Sequence, residues 1–114
     1  MKYILLKEVT FNFDSGAGVV ETTLDYKRQM MLALKVSDEG SDLEDMLKAQ
    51  RCWRALEKRV TGEYLELEDA DAEYLAACVR KAKFRFKCDE AIEYMQATLH
   101  PIGEKPLANQ AAGV

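Results

Sequence analysis

Histidine is almost missing from this sequence: His100 is the only one in 114 residues. Nucleophilic catalysis needs a base beside the nucleophile, most often histidine. His100 stands beside Pro101, with no nucleophile motif around it. Cysteine is sparse too, with Cys52, Cys78 and Cys88 scattered and no Cys-x-x-Cys unit among them. A structural zinc site draws about four Cys/His ligands at short paired spacings, so that class is excluded. Three thiols cannot all pair within one chain. They read as free thiols buried as small hydrophobes, in a reducing compartment such as the cytoplasm.

Other absences narrow the field further. No apolar run approaches the roughly 20 residues that span a bilayer, so no membrane role is expected. Residues Met1 to Glu8 hold only four consecutive apolar side chains before charge returns, too few for a secretory signal. An excess of positive charge is also lacking: 16 basic side chains stand against 20 acidic ones, a net charge of −4. That balance disfavours a general nucleic-acid binder, although a local basic patch can override it. Gly16 and Gly18 lack the lysine and the spacing of a phosphate-binding loop. The acidic clusters lack the glycine and closing glutamate of a calcium loop. No enzymatic activity, cofactor or metal is expected.

What is present suits one ordinary globular domain. Apolar residues make up 48% and charged residues 32% of the chain. A chain of this length buries roughly 65% of its unfolded surface, enough for a core without staples. The pattern predicts an α+β fold, with a domain over residues 1–100 and an extended tail over 101–114.

Val9, Phe11 and Phe13 alternate with polar residues, the period of a half-buried strand. They follow the apolar run Tyr3 to Leu6 and precede β-branched Val19 to Leu24. The sequence therefore predicts a hairpin over 3–24 with its tip at Asp14 to Gly18. Four helices are expected within 26–36, 42–60, 69–83 and 89–99. Asp25 should cap the first, with Tyr26, Met30, Met31, Ala33 and Leu34 inward and Lys27, Arg28 and Lys35 outward. Ser41 and Glu44 stand in the capping-box relation at the start of the second. Its inward stripe is read as Leu43, Met46, Leu47, Gln50, Trp53, Leu56 and Val60. Tyr64 to Leu67 alternates as a short third strand or linker. The third helix should turn Tyr74, Leu75, Cys78, Val79 and Ala82 inward. The fourth, capped by Asp89, should turn Cys88, Ile92, Met95 and Leu99 inward. Ile102 to Val114 has the small-residue, polar composition of a disordered tail.

The third helix carries the clearest functional signal. Glu63, Glu66, Glu68, Asp69, Asp71 and Glu73 crowd its entrance. Arg80, Lys81, Lys83, Arg85 and Lys87 crowd its exit, interleaved with Phe84 and Phe86. Charges so placed complement the helix dipole and need no partner. Two functional readings stand beside that one. The acidic end of one copy can meet the basic end of another, a head-to-tail contact that gives rings or filaments. Alternatively, the basic-aromatic stretch 80–87 can bind nucleic acid through phosphate contacts and base stacking.

The opening Tyr3-Ile4-Leu5-Leu6-Lys7-x-Val9-Thr10-Phe11-x-Phe13, the helix Leu43 to Arg59 and the run Leu65-Glu66-Leu67-Glu68-Asp69-Ala70-Asp71 before Tyr74-Leu75 together carry a resemblance. The chain resembles small accessory proteins encoded among the virion genes of tailed bacteriophages and prophages, over most of Met1 to Leu99. The resemblance implies protein–protein work during assembly or within a particle, in the host-cell cytoplasm or the virion, and transfers no catalytic residues. The expected function is that of an interaction protein, homo-oligomeric or docked on a larger phage assembly. Its contacts would use the hairpin tip, the charged ends of the third helix and the tail. A phage-encoded inhibitor of a host protein is the alternative, with the acidic helix entrance mimicking a polyanion.

Overall fold

Tyr3 and Ile4 stand outside the hairpin in which the sequence places them. The computed structural model describes residues 1–14, 16–35, 40–82 and 88–104. In it, β1 (Lys2–Leu5) pairs antiparallel with β4 (Tyr64–Leu67), setting Tyr3 against Glu66 and Ile4 against Leu65. The other edge of β1 takes a bridge to Ile102, with both Tyr3–Ile102 backbone hydrogen bonds at 2.9 Å. The physical reason lies in the run itself. Tyr3, Ile4 and Leu6 are all buried, so this segment lacks a polar face to show to water. Leu65 and Leu67 of β4, buried as well, meet that need.

The hairpin proper is β2 (Glu8–Asp14) with β3 (Val19–Asp25), in register from Glu8–Asp25 to Asp14–Val19. One of its faces carries Val9, Phe11 and Phe13 with Val20, Thr22 and Leu24. That face is buried at Leu24 and bare toward the tip, where Val20 is exposed. At the tip Gly16 takes a positive φ of 85°, and its N–H donates to Asp14 Oδ1 at 2.9 Å.

Helix α1 (Tyr26–Lys35) begins where expected. The Asp25 carboxylate accepts from the backbone N–H groups of Lys27 at 3.1 Å and Arg28 at 3.5 Å. Tyr26, Met30 and Ala33 are buried on it. Helix α2 (Leu43–Glu57) is capped by Asp42, whose side chain accepts from Asp45 N at 2.8 Å, in place of the expected Ser41–Glu44 box. Gly62, at φ 96°, turns the chain into β4 and donates its N–H to Leu6 O at 2.7 Å. Helix α3 (Asp69–Lys81) buries Ala72, Leu75 and Val79, much as its periodicity predicts. Helix α4 (Asp89–Leu99) follows, with Cys88 at its N-cap and Asp89 in its first turn rather than capping it. Residues 36–39, Lys83 to Lys87 and the tail beyond Glu104 lie outside the described residues, so the expectations placed on them stay as the sequence states them.

Among the described residues the architecture is thus α+β, with four helices and two small antiparallel sheets. The core joins Ile4 and Leu6, Tyr26 and Met30, Cys52 and Leu56, Leu65 and Leu75, Val79 and Tyr94. Tyr26 and Tyr94 meet edge to face with ring centroids 5.0 Å apart, tying the start of α1 to the middle of α4. No helix among the described residues is long and apolar enough to cross a membrane.

Two helices present a different face to the core from the one their large apolar residues predict. On α2 the buried residues are Cys52 and Leu56. Leu43 (68% exposed), Met46 (54%), Leu47 (46%) and Val60 (62%, just past the helix) face water instead. At 100° per residue Leu43 and Cys52 lie on opposite sides of the helix. A small side chain governs here: Cys52, fully buried, lets α2 approach α3 and donates Sγ–H to Asp71 O at 3.4 Å. On α4 the buried set is Ala91, Tyr94 and Thr98, one step round from the expected stripe. Ile92 is left 52% exposed. The Tyr94 ring on Tyr26 sets that rotation, and buried Thr98 closes its hydroxyl onto Tyr94 O at 3.1 Å.

Candidate interaction surface

The acidic entrance of α3 is largely spoken for within the chain. Asp71 is buried in the first turn of α3, where Arg51 of α2 holds it with contacts of 3.0 to 3.2 Å. That hydrogen bonding raises the pKa of the Arg51 guanidinium still further. Asp69 accepts from the Met1 amine at 2.8 Å, which lowers its pKa. On β4, Glu66 faces Arg59 Nη2 at 3.5 Å. Glu63, just before β4, meets Arg59 Nη1 at 3.9 Å. Glu68, at the N-cap of α3, and Glu73 are exposed and make no ion pair among the described residues. At the other end Arg80 and Lys81 are exposed in the last turn. Lys83, Arg85 and Lys87 lie outside the described residues. The two charged ends are therefore at opposite ends of one helix, and the acidic one is mostly neutralised by internal pairing.

Burial works against ionisation of two of the three thiols. The Cys52 thiol has its pKa pushed up to about 12, first by burial and then by the nearby Asp71 carboxylate. Burial likewise raises the pKa of Cys78, against a hydrogen bond from Tyr74 that lowers it. A protonated thiol is a poor nucleophile. Among the described residues no group of three His, Cys, Asp or Glu side chains gathers as a metal site.

Two surfaces emerge that charge counting along the sequence misses. The first is the outward face of α2, where Leu43, Met46 and Leu47 occupy neighbouring positions at three- and four-residue spacing. The second is a groove of about 340 Å³ between α1 and α2, lined by Met31, Leu32 and Trp53 with Asp25, Lys27, Arg28 and Lys35 around it. Lys35 Nζ sits 4.9 Å above the Trp53 ring. Lys27 Nζ is turned inward, donating to Arg59 O at 2.8 Å, and the Asp25 carboxylate is occupied by the helix cap. Arg28 and Lys35 are the exposed cations of this groove. Another groove, of about 380 Å³, collects Arg51, Arg54, Lys58 and Arg59 beside Glu66. Two of its four cations are already paired with carboxylates of this chain. The signal for the α1–α2 groove is present in the sequence as Arg28, Leu32 and Lys35, spaced four and three apart. It is hidden there because cations at helical spacing also describe a solvated face.

Comparison with protein-family models, with curated proteins and with solved structures finds no match.

Proposed function

We propose that this chain is a protein–protein interaction domain that self-associates as part of a larger assembly. The observation that carries this reading is the outward apolar face of α2. Leu43, Met46 and Leu47 are each about half exposed or more, while the opposite side of the same helix packs into the core. Contiguous exposed apolar surface on a small domain marks a place where something else is meant to sit. The charged ends of α3 contribute less than their sequence suggests, since Asp69, Asp71 and Glu66 are engaged within the chain.

The assembly that the phage-accessory resemblance points to is a virion or one of its precursors in the host cytoplasm, and that attribution rests on the resemblance alone. Self-association is tested by light scattering on the purified chain over a hundredfold range of concentration. The mass should rise above that of one copy as concentration rises. A strict monomer throughout would sink the reading.

A further inference from the structure

We propose that the α1–α2 groove receives the outer face of α4 from a second copy of this chain, in a head-to-tail contact. The inference rests on the self-association reading: Trp53, two turns on from Met46, carries the outward apolar side of α2 into the groove, so the two belong to one contact surface. The groove side is a basic–apolar–basic stripe along α1: Arg28, Leu32 and Lys35, with Met31 and Trp53 as floor. Leu32 is 47% exposed, and Arg28 and Lys35 are exposed at either end of it. Steps of four and three residues put all three on one side of the helix, about 6 and 4.5 Å apart along its axis.

The outer face of α4 carries the complementary chemistry. Asp89, Ile92 and Glu93 are exposed: the two acids stand one turn apart on one side of the helix, and the 52% exposed Ile92 flanks them. An isoleucine seated on Met31, Leu32 and Trp53 would set both carboxylates along one flank of the contact, within reach of the basic stripe. The acids stand about 6 Å apart along α4 and the bases about 10.5 Å apart along α1. The long, flexible arms of arginine and lysine can fold inward over that difference while their stems stay on apolar surface. The competing partner of Glu93 is Lys7 at 3.6 Å, an exposed pair of the kind that gives way readily. Lys35 rests its charge over Trp53, on the groove floor itself. A chain with a net charge of −4 thus carries a cationic apolar groove and an acidic apolar knob that suits its chemistry. The groove is built from α1 and α2 and the knob from α4, so the two patches are unlike. A contact between unlike patches does not close on itself at two copies; it runs on into a ring or filament.

The same asymmetry supplies the test. Ile92→Lys spoils the knob and keeps the groove. Leu32→Glu with Trp53→Phe spoils the groove, keeps the knob and removes the only tryptophan of that partner. Each variant alone should run as a monomer under conditions where the wild type assembles. An equimolar mixture should give a dimer that goes no further. Trp53 of the Ile92→Lys partner should shift its emission to the blue only on mixing. A mixture that stays monomeric, or either variant assembling as the wild type does, overturns this contact while leaving self-association standing. A wild type that never assembles removes both. If circular dichroism shows that a variant has lost helix, Leu32→Gln and Ile92→Gln take their places, with the same outcomes.

Discussion

The Arg51 guanidinium grips the Asp71 carboxylate through two nitrogens: Nε lies 3.1 Å from Oδ1 and 3.2 Å from Oδ2, and Nη2 lies 3.0 Å from Oδ1. The pair is lopsided. The Asp71 side chain is 10% exposed and the Arg51 side chain 54%. Removing the arginine strands a buried carboxylate, whereas removing the carboxylate returns the arginine to water. Arg51→Met should therefore destabilise the fold more than Asp71→Asn does. Adding Asp71→Asn to Arg51→Met should recover part of the loss. Urea midpoints of the three variants check the order, and an equal loss in both single variants would contradict it.

The orientation of α2 can be read from truncations on its two sides. Leu56→Ala, on the buried side, should cost about 2–5 kcal/mol, as should Leu75→Ala on α3, which is equally buried. Leu43→Ala and Leu47→Ala, on the outer side, should stay within about 0.5 kcal/mol of the wild type when measured at dilutions where the chain is monomeric. Comparable losses on both sides would mean that the helix is rotated from the position described.

Alkaline pH should lower the stability of the protein. Burial raises the pKa values of Tyr26, Tyr74 and Tyr94 above the ordinary tyrosine value, and the Cys52 thiol is pushed up to about 12. Unfolded, these groups lose their protons near the usual values of about 10 for tyrosine and about 8.5 for cysteine. Above those values the native state holds more protons than the unfolded state, so stability falls as pH rises. The contribution of these groups should be constant below about pH 8 and then decline continuously toward about pH 12. Urea midpoints across that range check the slope. Absorbance of tyrosinate should show Tyr26, Tyr74 and Tyr94 ionising late. In a Cys78→Ser/Cys88→Ser variant, Cys52 should react with a thiol reagent only as fast as the structure opens.

Gly62 tests the junction between α2 and β4. With φ at 96° it occupies backbone space that L side chains avoid, and its N–H is committed to Leu6 O. Gly62→Ala should cost about 1–2 kcal/mol, measured by thermal melting. Gly16→Ala, at the open hairpin tip with nothing within 4 Å of an added Cβ, should meet backbone strain without a clash and leave the core untouched.

Much of the fold was legible where pattern and environment agree. The alternation of Val9, Phe11 and Phe13, the Asp25 cap and the spacing of Leu75 and Val79 each describe an element with one wet side and one dry side. Legibility failed where size stood in for burial. Leu43, Met46 and Leu47 are larger than Cys52, yet close helix approach selects the small residue for the inside. Ile92 lost its inward place to Tyr94 because a ring that meets Tyr26 edge to face fills more of the core. The charged ends of α3 could be counted in the sequence, but their partners could not. Arg51 lies twenty positions from Asp71, and only the packing of α2 on α3 brings them together.

The place of β1 between β4 and Ile102 has a consequence in time. Tyr3 pairs with Glu66 on one side and with Ile102 on the other, so a strand that leaves the ribosome early must wait for both its neighbours. Until synthesis has passed Ile102, the apolar run Tyr3, Ile4 and Leu6 lacks part of its cover. A strand waiting in that condition is the kind of surface that chaperones hold and that stray chains pair with. Premature termination between residues 67 and 102 would release a chain with β1 unsheltered along one edge.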